Sequence, residues 1–435
     1  MTTATSTSPD SAIDNGTFRS LRHRNFRLFF SGQLVSQTGT WLTMITQTLL
    51  VLSLTKSGLT LGLLLAAQFG PVLLLGAWAG AVADRADKRR LLIRVQSLAM
   101  LQSALLGISV LTHHATLPVI FALAAFQGVL TAFDNPTRRS FVVEMVPPED
   151  LPNAVSLNSA VMTGSRVVGP AAAGALVVAV GYGWPFLIDA ASYLAVLAGL
   201  WLMRDEDLYR AERTPKGKGQ VRDGLRYIRS EPTLLIPIVM MAIIGTFAFN
   251  FSVTIPLFVE KSLGGSTETF TWVFSVLSLG SVVGALHTAK RTEVTPRQLV
   301  SASAAFGITM AMLAAAPSLG PAFGAAFLLG LASISFMTAC TAMLQLLAGP
   351  TYRGRVLAIQ SMVFLGSTPI GGPIVGWASD VGGPHVGLLI GAAACLLAAG
   401  VGVRILRLPE SPEERVDPTT TEVAVIDDEA VTLRD

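Results

Sequence analysis

The sequence predicts an all-α membrane protein with twelve transmembrane helices in two six-helix bundles. Three observations carry that expectation. Only 14% of the 435 residues are charged and mean hydropathy is +0.58, whereas a soluble chain has roughly 25% charged residues to clothe its surface. Apolar stretches of about 20 residues, the length that crosses a bilayer core, recur twelve times in two groups of six around a charged segment. Basic residues also alternate between links. Lys56 and Lys261 stand on the odd-numbered links and Arg166 within a stretch, and the other 28 of the 31 lysines and arginines occupy the even links, the centre and the ends. Short cytoplasmic loops collect Lys and Arg, so both termini and segment 204–232 are expected in the cytoplasm of a multi-pass cell-membrane protein.

The elements follow in order. Residues 1–18 are Ser/Thr-rich without an apolar run or signal-peptide pattern, and 1–25 read as a cytoplasmic segment. Spans at 26–54, 58–82, 91–112, 117–133, 155–180 and 184–203 form the first bundle, 26–203. A cytoplasmic linker, 204–233, leads to spans at 234–259, 268–289, 297–316, 320–347, 355–379 and 384–406, the second bundle, 234–407. The tail 408–435 carries nine acids against two basic residues, a net of −7, and reads as disordered and cytoplasmic.

Other chemistries find no support. No basic run is free of apolar flanks, which disfavours nucleic acid. Cys340 and Cys395 lie in apolar runs, and the five histidines are scattered without metal-ligand spacing. No cofactor or metal is expected. An internal register links the halves: at an offset of 202, Gly128 meets Gly330, Pro148 meets Pro350, Gly164-Ser165 meets Gly366-Ser367, Gly169 meets Gly371 and Gly174 meets Gly376. Six spans per half make the two halves parallel repeats about an axis along the membrane normal.

Charges at membrane depth cost several kcal/mol unless paired or wetted. Arg166 lies half-way along the fifth span, as an anchor, a gate or an anion-binding group. Asp189 lies a turn and a half inside the sixth, as a proton acceptor or a hydrogen-bonded structural acid. The two sit at different depths. Asp134 and Glu144 bracket Arg138-Arg139 at the end of the fourth span as a local ion-pair network. Gln33, Gln37, Thr40, Met44 and Gln47 recur at helical spacing along one stripe of the first span, with Trp41 beside it. Lipid penalises exposed amides, so the stripe faces protein or water. Thr246, Asn250 and Thr254 follow at i, i+4, i+8 in the seventh span with Phe251 alongside, and Gln127, Thr131, Thr338 and Gln345 fall in the fourth and tenth.

Four stretches carry a family resemblance: Gly80-Ala-Val-Ala-Asp84-Arg85-Ala-Asp87-Lys88-Arg89-Arg90, Ala132-Phe-Asp134-Asn-Pro-Thr-Arg-Arg-Ser-Phe141, residues 148–159, and Arg166-Val-Val-Gly169-Pro170-Ala-Ala-Ala-Gly174. With the opening at 18–29, they make the chain similar to the major facilitator superfamily, and within it to the drug and siderophore exporters of the transmembrane secretion effector type. The resemblance implies the major facilitator fold, with the first, fourth, seventh and tenth spans around a central cavity. It implies that Gly80, Asp84, Arg85, Lys88 and Arg89 form a cytoplasmic latch, Asp84 capping a helix of the other bundle. Asp87 stands where the family motif has glycine, so a less sharply bent loop is expected. Gly169, Pro170 and Gly174 match a pliant exporter motif associated with antiport. The family's arginine in the fourth span is absent, Ala124 standing three residues before Gln127-Gly128.

The expected function is therefore proton-coupled export of a bulky amphipathic small molecule (drug, natural product or siderophore) by a monomer in the lipid bilayer. Uptake of a small nutrient is the alternative, and a non-transporting intramembrane enzyme or scaffold a further one. Paired acids, Ser/His pairs or metal ligands at membrane depth, which an intramembrane enzyme would need, are missing.

Overall fold

The computed structural model describes residues 16–209, 220–289, 295–349 and 352–404. The tail 408–435, residues 1–15 and Pro350 lie outside the described residues, which contain helices and no strand. Six long helices come first: α1 (Arg24–Thr55), α2 (Gly58–Arg85), α3 (Lys88–Leu111), α4 (Leu117–Met145), α5 (Leu151–Val180) and α6 (Gly183–Leu202). A short α7 (Gln220–Ser230) leads to α8 (Pro232–Phe247), α9 (Phe251–Lys261), α10 (Thr267–Ala289), α11 (Pro296–Ala314), α12 (Leu319–Leu347), α13 (Arg353–Gly382) and α14 (Pro384–Gly402).

The boundaries follow local chemistry. Ser57 N-caps α2 by accepting from the Thr60 amide, and Lys56 before it takes the left-handed conformation, φ 51°, that ends α1. Asp87 accepts from the Arg90 amide at 2.9 Å and N-caps α3. The α2–α3 link is two extended residues, Ala86 and Asp87, and the acid supplies the cap of α3 where the family motif has glycine. Thr295 and Gln298 form a reciprocal capping box at α11.

Two spans differ from expectation. The fourth continues to Met145 rather than ending at 133, because Asp134 and Arg138 pair at i,i+4 while Thr137 and Ser140 donate to carbonyls four residues back. The seventh is not one helix: it breaks at Ala248–Asn250 into α8 and α9. The Asn250 side-chain amide donates to the Thr246 carbonyl at 2.7 Å, replacing the backbone donor lost at the break. Among the described residues, ten stretches can cross a membrane by length and composition, α8–α9 counting as one. The helices α1 and α11 are not among them. The Gln/Thr stripe dilutes α1, although its 32 residues reach about 48 Å.

Hydrogen bonds show which turns share an end of the molecule. Ser20 bonds Asp150 and Asn153, Asn25 bonds Arg204, and Arg89 bonds the carbonyls of Leu200 and Trp201; this is the linker end. Ser57 and Lys261 bond Asp380, and His385 bonds Ala314; this is the hairpin end. Within α1–α6, α1 packs on α5 and α6, α2 on α4, and α3 on α4 and α6; within α8–α14, α10 and α11 pack on α12, α8 on α13 and α14, and α11 on α14. The two sets meet where α2 packs on α13 and α5 on α10. A large apolar core fills the second set and draws in Leu42, Ile45, Leu49 and Ala173 from the first.

Candidate functional site: the junction between the helix sets

The junction is tight at the hairpin end, and toward the linker end several glycines of its helices have no neighbour where a Cβ would stand. A Cβ on Gly62 would strike the Gly372 backbone, and one on Gly376 the Gly58 carbonyl, so only glycines permit this approach of α2 to α13. Contact persists as far as Leu73 against Gly366. Beyond it, the positions beside Gly76 and Gly80 on α2, Gly164 on α5 and Gly354 on α13 face open space.

A carboxylate fastens the tight end. Asp380, near the end of α13, accepts from the backbone amides of Gly58 and Leu59 at 2.8 and 2.9 Å and from the Ser57 hydroxyl at 2.8 Å. It therefore caps the N-terminus of α2, where the helix dipole favours negative charge, and Lys261 of α9 approaches it at 3.4 Å. Sequence reasoning missed this acid because it stops the eleventh apolar span at 379. The available signal was spacing: Gly376-x-x-x-Asp380 repeats Gly80-x-x-x-Asp84.

The polar stripe of α1 divides along its length. Gln33, 2% exposed, accepts from Arg138 at 2.8 Å and from Gln37 at 3.2 Å. Arg138 also pairs with Asp134, which accepts from Gln96 of α3 at 2.7 Å. One buried network thus joins α1, α3 and α4, and Gln96 is a member that sequence reasoning did not single out. Gln47, also 2% exposed, donates to the Ile120 carbonyl and accepts from Gln68. Gln37, Trp41 and Met44 between them are partly exposed. Glu144 pairs with Lys88 of α3 rather than with the Arg138-Arg139 pair.

Asp189 is 1% exposed and enclosed by hydroxyls: Thr43 donates at 2.8 Å and Ser103 at 2.9 Å to Oδ2. The absence of Cβ on Gly39 lets α1 approach it. Arg166 stands elsewhere, exposed, with its guanidinium 5.4 Å from the centre of the Trp41 ring. Gly169 backs onto the Trp41 Cβ and Gly174 onto Thr271 of α10, while Pro170 lies buried between them in the middle of α5.

The second set contributes mainly aromatic surface. Phe249 lies 5.8 Å from Phe251, 5.1 Å from Phe306 and 5.2 Å from Phe364, ring centre to ring centre. Asn250 and Thr254 are fully buried and bonded within the α8–α9 break, whereas Thr246 is partly exposed. Thr338, Gln127 and Thr131 are partly exposed, and Gln345 is exposed near the end of α12. Of the expected latch, Asp84 and Arg85 are exposed at the end of α2, and Arg89 pairs with Asp205 at 2.7 Å.

A family model described as transmembrane secretion effector matches residues 15–431. The staphyloferrin A transporter of Staphylococcus aureus is 28% identical over 60% of this chain and 66% of its own length. The multidrug efflux pump Tap of Mycolicibacterium fortuitum is 24% identical over 88% of this chain and 96% of its own. The chain spans just under two thirds of the staphyloferrin A transporter. Among solved structures, the peptide transporter PepTSo of the POT family superposes with a TM-score of 0.71 at 12% identity, covering 88% of this chain and 98% of that one. A bacterial homologue of the lysosomal transporter Spinster gives 0.67 at 17% identity, covering 92% and 99%. At such identities these two speak for the fold alone. The chain belongs to the transmembrane secretion effector family of the major facilitator superfamily.

Proposed function

We propose that this transporter exports a bulky amphipathic compound across the cytoplasmic membrane by proton antiport, alternating access between two six-helix bundles. In this reading α1–α6 form one bundle and α8–α14 the other, with α8–α9 as one broken span and α1 and α11 completing the twelve. The linker end, which bears most of the basic residues, faces the cytoplasm, and the chain works as a monomer. The observation that carries the proposal is the asymmetric junction, clamped through Asp380 at one end and parted at the other. That arrangement suits a state open to the cytoplasm and ready to load cargo. Partly exposed Gln37, Trp41, Met44, Thr246 and Phe251 offer cargo both hydrogen bonds and apolar contact, whereas buried Gln33, Gln47, Asn250 and Thr254 shape the walls.

Asp84 then plays the part that Asp380 plays here. When the linker end closes, Asp84 meets the N-terminus of α13 at Tyr352–Arg353, as Asp380 now meets that of α2. Exchange of one capped helix for another gives two states of comparable energy, which a carrier needs. Asp84→Asn should lower turnover at least tenfold, the loss of about 1.4 kcal/mol from one state, with unchanged membrane insertion; normal turnover would remove Asp84 from the cycle.

Export itself is tested in inverted membrane vesicles. Energised vesicles should accumulate a hydrophobic dye or drug that intact cells extrude, and collapsing the proton gradient should stop accumulation. Accumulation indifferent to the gradient would end the antiport reading, and accumulation by intact cells instead would reverse the direction.

A further inference from the structure

We infer that Arg166 and Trp41 form the recognition point for an anionic group, so that the cargo is an amphipathic anion whose carboxylate or equivalent acid is bound at mid-membrane. The inference rests on the transport reading above and names the substrate class it leaves open.

Arg166 lies at the middle of α5, half-way through a membrane-crossing stretch, where an unpaired charge is costly. Among the described residues it makes no hydrogen bond or ion pair, and its partner is the face of Trp41. Its position relative to the junction is legible along α5. Gly169, one turn further, touches Trp41 and Ala173, two turns further, is buried in the core shared by both helix sets. Residues at i, i+3 and i+7 share a helix face, so Arg166 lies on the junction face, just where the sets begin to part.

Among the described residues, no carboxylate pairs with it. Asp134 is engaged by Arg138 and Gln96, and Asp189 is walled in by Thr43 and Ser103. The described acids of α8–α14 are Glu260, Glu268 and Asp380, with Glu231 preceding α8, and all stand at helix ends. Rocking the two sets against each other therefore brings none of these described acids to the depth of Arg166. An anion from outside the chain is the partner the site lacks, and a guanidinium presents the planar donor fork that a carboxylate matches. Beside it, Trp41 packs against the same apolar core as partly exposed Phe249, Phe251 and Phe364, a surface fit for an aromatic or aliphatic body.

The test is binding of matched fluorescent probes to the purified full-length protein in lipid nanodiscs: dansylglycine, its neutral glycinamide, and dansyl-ethylenediamine as the cation. Wild type should bind dansylglycine about tenfold more tightly than the neutral amide, since a hydrogen bond to a charged group contributes that much or more, and should bind the cation least. Arg166→Gln should abolish this preference with neutral-amide binding unchanged, which also reports that the variant is folded, and Arg166→Lys should retain part of it. Equal binding of anion and neutral probe by wild type, or a preference that survives Arg166→Gln, overturns the inference. The transport reading fails separately, through inverted vesicles that accumulate nothing, because nanodisc binding requires neither a gradient nor a direction.

Discussion

Replacing Asp380 with alanine should open the hairpin end. The carboxylate accepts from two backbone amides and a hydroxyl at the start of α2, and its loss removes both a helix cap and hydrogen bonds to a charged acceptor. The Lys261 pair is partly exposed, at 33% and 25% for the two side chains, so it adds little. A combined loss of about 2 kcal/mol is the scale expected, and ~30-fold in the ratio of open to closed forms follows from it. The reporter is Leu61→Cys, a buried α2 position beside the clamp, labelled with a membrane-impermeant maleimide in cells. Its labelling should accelerate by about that factor in the Asp380→Ala background. Asp380→Glu should recover little, because the extra methylene displaces the carboxylate from two amides held at 2.8–2.9 Å. Unchanged labelling would mean that glycine packing alone closes this end.

The second large effect belongs to Asp189. It is the acid most deeply enclosed in α1–α6, with hydroxyls of α1 and α3 aimed at one oxygen. An acid in that setting can exchange a proton while its neighbours reorient, and α1, which Gly39 brings against it, also carries the partly exposed Gln37 and Trp41. Asp189→Asn preserves size and an accepting oxygen for Thr43 and Ser103, so folding should survive. Uptake into energised inverted vesicles should then fall to the level of de-energised membranes, while exchange of cargo down its own gradient continues near the wild-type rate. Gradient-driven uptake at the wild-type rate would assign proton coupling elsewhere and leave Asp189 a structural acid. Loss of both activities in a well-inserted variant would point the same way.

The order and extent of most helices were legible in the sequence, because apolar runs and basic links are one-dimensional signals. What escaped was three-dimensional. The stripe Thr246, Asn250, Thr254 has the spacing of an unbroken helix, yet the Asn250 side chain competes with its own backbone and a break results. Polar residues at 134–138 look like the end of a span, but their i,i+4 pairing carries α4 onward. Amides on one stripe of α1 look equivalent, and the structure separates them by what α2 and α4 offer: Arg138 takes Gln33, the Ile120 carbonyl and Gln68 take Gln47, and Gln37 and Trp41 are left partly open. Asp380 resembles a loop acid until α2, more than 300 residues earlier in the chain, is set against it. Arg166 was conspicuous by its depth alone; that it meets the Trp41 ring and, among the described residues, no acid required the fold.

Alternating access is tested most directly by two distances measured together in one reconstituted protein. One spin-label pair would join Gly80→Cys on α2 to Gly354→Cys on α13 at the linker end, both facing open space. The other would join Leu59→Cys to Trp377→Cys, exposed positions of the same two helices at the hairpin end. When a proton gradient or cargo drives the cycle, the first distance should shorten in the same fraction of molecules in which the second lengthens. Distances that change in the same sense at both ends, or a hairpin end that never opens, would contradict a carrier that exposes its cavity to alternate sides of the membrane.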